Sequence, residues 1–183
     1  MPRLTNLPNI ITVVRLLLVP LAIWLILSSL YLAAFWLFMI AGVSDAVDGF
    51  LARQFNAQTP LGAYIDPLAD KMLLVGVYIT LGIQGLLPDW LVILVVFRDL
   101  LIIGGALLLY TMSDRSLSMD PLWISKINTV LQLVLAASVL AHSALFFDDG
   151  GVTEALVYLV AATTFISGMG YLRRWIRGMA IDS

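Results

Sequence analysis

The chain alternates long apolar runs with short polar breaks, at a period set by membrane thickness rather than by a soluble core. A spanning helix needs about 20 apolar residues. Ile10–Arg53 is long enough for two such helices, with the turn expected at Ser28, Ser29 and Tyr31. A third helix is expected from near Pro60 to Gln84–Gly85, and a fourth from about Leu87 to Met112. The polar stretch Ser113–Pro121 then separates a fifth, from about Trp123 to Phe147. The loop Asp148–Thr153 leads into a sixth, ending near Trp175. The pattern therefore predicts an all-α, polytopic membrane protein with six transmembrane helices, as a single domain over residues 1–183. The first apolar run lacks a small-residue cleavage site and is read as a retained helix, not a signal peptide.

Composition supports that reading. The 183 residues are 61% hydrophobic and 12% charged, against about 25% charged in soluble domains. The placement of charge says more than its sum of −2. In a six-helix chain, one side of the membrane receives Arg3, Arg53, Arg115, Arg173, Arg174 and Arg177, with Arg15, Lys71 and Lys126 within reach. The opposite turns, near 28–31, 84–89 and 148–154, hold no Lys or Arg but contain Asp89, Asp148, Asp149 and Glu154. Positive charge concentrates on the cytoplasmic side, so both termini are expected there, in a bacterial inner membrane. Trp90, Trp123 and Trp175 stand near expected helix ends, as an interfacial belt would.

Against this apolar background, residues 45–70 are anomalous. The uncharged run Leu16–Ser44 leads straight into Asp45, and Asp48, Asp66 and Asp70 follow. One Asp at the centre of a membrane helix costs roughly 2.5–3.5 kcal/mol on insertion scales. Four close together persist only if a cation, water or a reaction uses them. Asp45 and Asp48 are three apart and Asp66 and Asp70 four apart, so each pair shares a helix face. About a turn centred on Ala57, Asp48 falls level with Asp66 and Asp45 with Asp70. The four carboxylates should meet roughly 14–19 Å in from that turn, at 1.5 Å per residue.

Carboxylates so close would take up protons unless divalent cations neutralise them. The chain has no cysteine and a single histidine, His142, so a metal held here is hard and oxygen-loving: magnesium or manganese. Two such ions are the usual arrangement for in-line phosphoryl chemistry. Gly49 and Gly62 would let a ligand or backbone approach, and Ala52 keeps the face small. Arg53 offers a planar fork of donors to a phosphate, and Thr59 a hydroxyl. Together these residues suggest a diphosphate ligand. As ordinary juxtamembrane charges the acids would have no reason to mirror one another about the turn. Gly49 or Gly62 taken singly reads as a helix-packing glycine.

The pattern Asp45-x2-Asp48-Gly49-x2-Ala52-Arg53-x8-Gly62-x3-Asp66-x3-Asp70 resembles, at every fixed position, the signature of the CDP-alcohol phosphotransferases. The resemblance implies that family's fold, a CDP-linked lipid donor, two divalent ions (Mg2+ or Mn2+) per active site, release of CMP and a homodimer. It further implies that Asp45 and Asp66 each touch both metals, that Asp48 binds one and Asp70 the other, and that Asp70 is the general base. Gly49, Arg53 and Thr59 would hold the nucleotide diphosphate, with Ala52 and Gly62 in the same pocket.

The flanks bear on the acceptor alcohol. Asn6-Leu7-Pro8-Asn9-Ile10-Ile11-Thr12-x2-Arg15 resembles the entry helix of phosphatidylglycerol-phosphate synthases and of the cardiolipin synthases of this family. Asn9 and Thr12 would line the nucleotide pocket or cap the helix. Arg98-Asp99 and Pro121-x3-Ser125-Lys126-x-Asn128-Thr129-x2-Gln132 are most similar to the cardiolipin synthase versions of these segments. The other group tends to place a second lysine at the position of Asn128, which suits a dianionic acceptor. Arg98 is read either as a structural partner of Asp99 or as an acceptor-phosphate ligand, and Lys126 and Asn128 as acceptor-binding residues. Lys126 could instead snorkel to the headgroups.

The expected activity is phosphatidyl transfer from CDP-diacylglycerol to phosphatidylglycerol, giving cardiolipin. Glycerol 3-phosphate is the rival acceptor, and a cation-coupled transporter the rival of another class. The expected partners are these lipids and the surrounding membrane, with no nucleic acid.

Overall fold

A computed structural model describes residues 7–55, 60–112, 123–145 and 149–181, with side chains described over residues 14, 16–44, 71–105, 123–145 and 149–174. The described residues form six α-helices and no strand: α1 (Leu7–Leu27), α2 (Tyr31–Phe55), α3 (Pro60–Ile83), α4 (Asp89–Met112), α5 (Trp123–Leu145) and α6 (Val152–Ile181). Two of them, over Trp123–Leu145 and Val152–Arg174, are long and apolar enough to cross a membrane. Shorter apolar stretches occupy Leu16–Leu27, Tyr31–Ser44 and Lys71–Ile83.

The expected breaks fall at or near their places, for identifiable reasons. α1 and α3 end in the same way. Beyond α1, Leu30 N–H donates to Leu25 O and Ser29 N–H to Ile26 O, with Ser29 at φ 58°. Beyond α3, Leu86 N–H donates to Leu81 O and Gly85 N–H to Gly82 O, with Gly85 at φ 69°. Both are Schellman ends, which need one residue in the left-handed region. α4 begins at Asp89, not near Leu87, because a residue preceding proline is disfavoured in helical backbone. Pro88 O instead accepts from Leu91 and Val92. α6 starts at Val152, where the Asp149 carboxylate receives the amides of Gly151 and Thr153. It runs to Ile181, past the end expected at Trp175. Arg173, Arg174 and Arg177 are good helix formers, so the helix continues after the apolar run ends.

The chain divides into two compact units. The first comprises α1–α3 and the second half of α5. Here α1 packs against both α2 and α3. Val19 and Ile23 of α1 lie over Gly76 of α3, where an added Cβ would stand 3.3 Å from Ile23 Cδ1. At the end of the same interface, Gln84 Nε2 donates to Ile26 O at 2.8 Å and Leu27 O at 3.2 Å. Residue numbers rise together along this contact, so α1 and α3 run parallel.

The second unit comprises α4, the first half of α5 and α6. α4 packs on α6. Trp90 and Tyr158 meet near their N-terminal ends, with ring centroids 6.3 Å apart, and Arg98 meets Ser167 further along. α4 and α6 are therefore parallel. Asn128 of α5 meets Thr163 and Thr164, and both Ser125 and Ser167 reach Arg98, so α5 runs antiparallel to α6.

Candidate active site

The signature is carried on two continuous helices. Asp45, Asp48, Gly49, Ala52 and Arg53 fall in the last part of α2, and Gly62, Asp66 and Asp70 in the first part of α3. Asn9 and Thr12 fall at the start of α1. The side chains of all these residues, the whole of Thr59, and with them the expected levelling of Asp48 with Asp66 and Asp45 with Asp70, lie outside the described residues.

The residues expected to meet the acceptor are described, and they differ sharply in exposure. Lys126 is exposed, with its Nζ 5.7 Å from the centroid of the Trp123 ring, within cation–π range. Trp123 is itself 79% exposed. This pair stands in the first turn of α5, the position of an interfacial anchor. Arg98 and Asn128, by contrast, are buried, at 2% and 0% exposure.

Arg98 is held on three sides. Its Nη1 donates to Asp99 Oδ1, and Nη2 donates to Ser125 Oγ and, at 2.7 Å, to Ser167 Oγ. Its Nε–H also reaches Ser167 Oγ, at 3.3 Å. Asp99, adjacent on the helix, is 1% exposed. Neighbouring helical residues point about 100° apart, and the long arginine side chain spans that angle. Structural pairing is thus present, and the guanidinium makes four of its five possible N–H donations inside the unit. Gly168 leaves room for the arginine stem, since a Cβ there would lie 3.8 Å from Arg98 Cγ.

Asn128 looks to α6. Its Oδ1 accepts from Thr163 Oγ1 at 2.8 Å and Thr164 Oγ1 at 2.9 Å. The Thr163 hydroxyl also lies within reach of Leu159 O and Val160 O. It has one proton for three acceptors, so Thr164 is the steadier partner. Asn128 Nδ2 is buried with no hydrogen-bond partner among the described residues. Sequence reasoning quoted Ser125 without assigning it a role, and missed Thr163, Thr164 and Ser167 altogether. Their spacing was the available signal: positions 163, 164 and 167 lie on one face of a helix, and they form a hydroxyl patch in an otherwise apolar stretch.

Comparison with known proteins agrees with the signature. Residues 5–166 match the CDP-alcohol phosphatidyltransferase family, and the chain belongs to it. Within the family the relatives carry two kinds of name, glycerol-phosphate phosphatidyltransferase or phosphatidylglycerophosphate synthase, and cardiolipin synthase. A chloroplast CDP-diacylglycerol–glycerol-3-phosphate 3-phosphatidyltransferase of Oryza sativa is 38% identical over 92% of the chain and 56% of its own length. A CMP-forming cardiolipin synthase of Homo sapiens is 31% identical over 91% of the chain and 60% of its own length. A probable phosphatidylglycerophosphate synthase of Mycobacterium tuberculosis is 32% identical over 96% of the chain and 84% of its own length. The chain thus spans little more than half of the first and second of these relatives.

Proposed function

We propose that the chain is a CMP-forming phosphatidyltransferase that moves the phosphatidyl group of CDP-diacylglycerol to phosphatidylglycerol, giving cardiolipin. The observation that carries the transferase reading is the complete signature, Asp45 to Asp70, within a family match covering residues 5–166. Asp70 takes the proton from the acceptor hydroxyl as its oxygen bonds to the β-phosphorus of the donor. The bond from that phosphorus to the bridging oxygen breaks, and CMP leaves. Gly49, Ala52, Arg53, Thr59 and Gly62, with Asn9 and Thr12, hold the nucleotide diphosphate.

The donor set fits a hard divalent ion, because four carboxylates are all-oxygen ligands and the chain has no thiol to compete. Asp45, Asp48, Asp66 and Asp70 would hold two Mg2+ or Mn2+ ions, which supply charge neutralisation to the diphosphate and the leaving group. The remaining parts of the reading are one domain over residues 1–183, six membrane spans, cytoplasmic termini and active site, a bacterial inner membrane and a homodimer.

Phosphatidylglycerol is preferred as acceptor because the 121–132 segment offers Lys126 with Asn128 in place of a second lysine. Glycerol 3-phosphate is the second reading, favoured by the Oryza and Mycobacterium relatives. One assay separates the two: purified protein with CDP-diacylglycerol, Mg2+ and both acceptors, with the lipid product identified. Cardiolipin, lost in EDTA and restored by Mg2+ or Mn2+, is the expected outcome. A phosphorylated phosphatidylglycerol as the main product selects the second acceptor and leaves the chemistry intact. For topology, single cysteines replacing Ala57 and Gly150 should react with an impermeant thiol reagent from opposite sides of the membrane. Reaction from the same side overturns the six-span reading.

A further inference from the structure

The buried guanidinium of Arg98 has an outlet. Of the groups it contacts, Asp99 and Ser167 are 1% and 0% exposed, whereas Ser125 is only half-buried. Ser125 Oγ accepts from Arg98 Nη2, so its own proton must point elsewhere. In the interior of a helix a serine proton commonly returns to the carbonyl four residues back. Ser167, deep in α6, has such a carbonyl at residue 163. For Ser125 the carbonyl four residues back, at position 121, lies outside the described residues, and the partner of its hydroxyl among the described residues is Arg98. Its backbone position is further held by Thr129 Oγ1, which donates to Ser125 O at 3.1 Å. A hydroxyl that accepts from a cation is a stronger donor in turn. Lys126, the exposed cation of this turn, is its immediate neighbour in sequence.

We propose that Ser125 is the group through which this unit touches the acceptor, donating its Oγ–H to a phosphate oxygen, and that Arg98 is a positioning residue acting through it. The proposal rests on the transferase reading above and adds the specificity contact. It also removes a conflict. Arg98 does not have to leave Asp99, Ser125 and Ser167 to meet a phosphate, because its charge is felt at the surface through one hydroxyl. The chemistry recognised is a phosphate oxygen, whether of a lipid phosphodiester or of a glycerol phosphate.

The test is steady-state kinetics on the purified full chain, with CDP-diacylglycerol as donor and each acceptor in turn, alongside thermal unfolding. Ser125→Ala should raise the acceptor KM about tenfold or more, as expected for a lost hydrogen bond to a charged group. The donor KM should stay near that of the unmodified chain, and the unfolding midpoint should fall only slightly, because Arg98 Nη2 keeps Ser167 as a partner. Ser125→Thr, which keeps the hydroxyl, should restore the acceptor KM, and Ser125→Cys, close in size but a weak donor, should not. The acceptor whose KM responds identifies which source of phosphate the site serves. Unchanged acceptor KM in Ser125→Ala, or a donor KM that rises in step, overturns the proposal. If Ser125→Ala does not fold, the same two criteria are applied to Ser125→Cys. Absence of CMP release by the unmodified chain with either acceptor overturns the transferase reading and this one with it.

Discussion

The two units of this chain are held together by different means. In the first, the described interior is apolar: Ala22, Ile26, Val77, Tyr78 and Leu81 are all within 1% of full burial. Of its buried hydroxyls, that of Thr80 turns back to Gly76 O within the same helix. In the second, the interior holds Arg98, Asp99, Asn128, Gln132, Thr164 and Ser167, and its hydrogen bonds join three helices. Lipid tails are as apolar as leucine, so apolar burial does little to hold membrane helices together. Close contact at small residues and hydrogen bonds between helices remain. The first unit uses small residues, seen where Gly76 admits Val19 and Ile23. It adds an interhelical hydrogen bond from Gln84 at the end of the α1–α3 contact, whereas the second relies on hydrogen bonds among buried polar side chains. Charge should therefore matter to chemistry in the first unit and to stability in the second.

The largest expected effect separates those two consequences. Asp70→Asn in the first unit should lower turnover by about 10²–10⁴-fold, the usual contribution of a general base, while the unfolding midpoint stays put. Wild-type turnover in a folded variant removes Asp70 from the mechanism.

Next comes the corresponding change in the second unit. Arg98→Met leaves the Asp99 carboxylate buried without its cation, which typically costs about 3–5 kcal/mol. The double change Arg98→Met with Asp99→Leu should recover most of that loss while activity stays low. A stable single variant would show that hydrogen bonding is not what holds the second unit.

A smaller effect tests the first unit's packing. Gly76→Leu drives a large side chain into Ile23 and should cost about 1–3 kcal/mol as overpacking. Gly76→Ala should cost much less, because the nearest atom is the movable end of Ile23. The smallest effect is Thr164→Val, which removes the steadier hydroxyl from Asn128. Single interhelical hydrogen bonds in membrane proteins contribute about 0.6 kcal/mol on average and about 1.7 at most. Thermal unfolding of the two variants in one detergent should rank them in this order, and the reverse ranking would dissolve the contrast between the units.

Much of this organisation was legible in the sequence because its causes are local. The breaks at Ser28–Ser29 and Gln84–Gly85 are ends of apolar runs, and Pro60 marks a helix start, whereas the start expected near Leu87 falls at Asp89, after Pro88. The Arg98–Asp99 pair could be anticipated because its members are adjacent. The partners of Arg98 and Asn128 on α6 could not. Ser167 is 69 residues from Arg98, and Thr164 is 36 from Asn128. An isolated hydroxyl in an apolar helix gives no sign of what it will meet. The extension of α6 to Ile181 was missed because hydropathy marks the edge of the membrane, whereas a helix stops only where its backbone does. The signature aspartates are the opposite case. Their chemistry is legible from residue type and spacing, and their arrangement in space lies outside the described residues.

Gln84 sets a gauge for the other end of its helix pair. By donating to Ile26 O and Leu27 O it locks the phase of α3 against α1, and Gly76, seated between Val19 and Ile23, follows the same parallel register. α1 and α3 both continue from there toward the turns that carry Asn9 and Thr12 and the α3 aspartates, with Pro20 inside α1 on the way. Slipping the pair by one turn would displace one set against the other by about 5.4 Å, more than the reach of a hydrogen bond. A glutamine remote from the signature thus acts as a vernier for the depth at which Asn9 and Thr12 stand relative to the aspartates of α3.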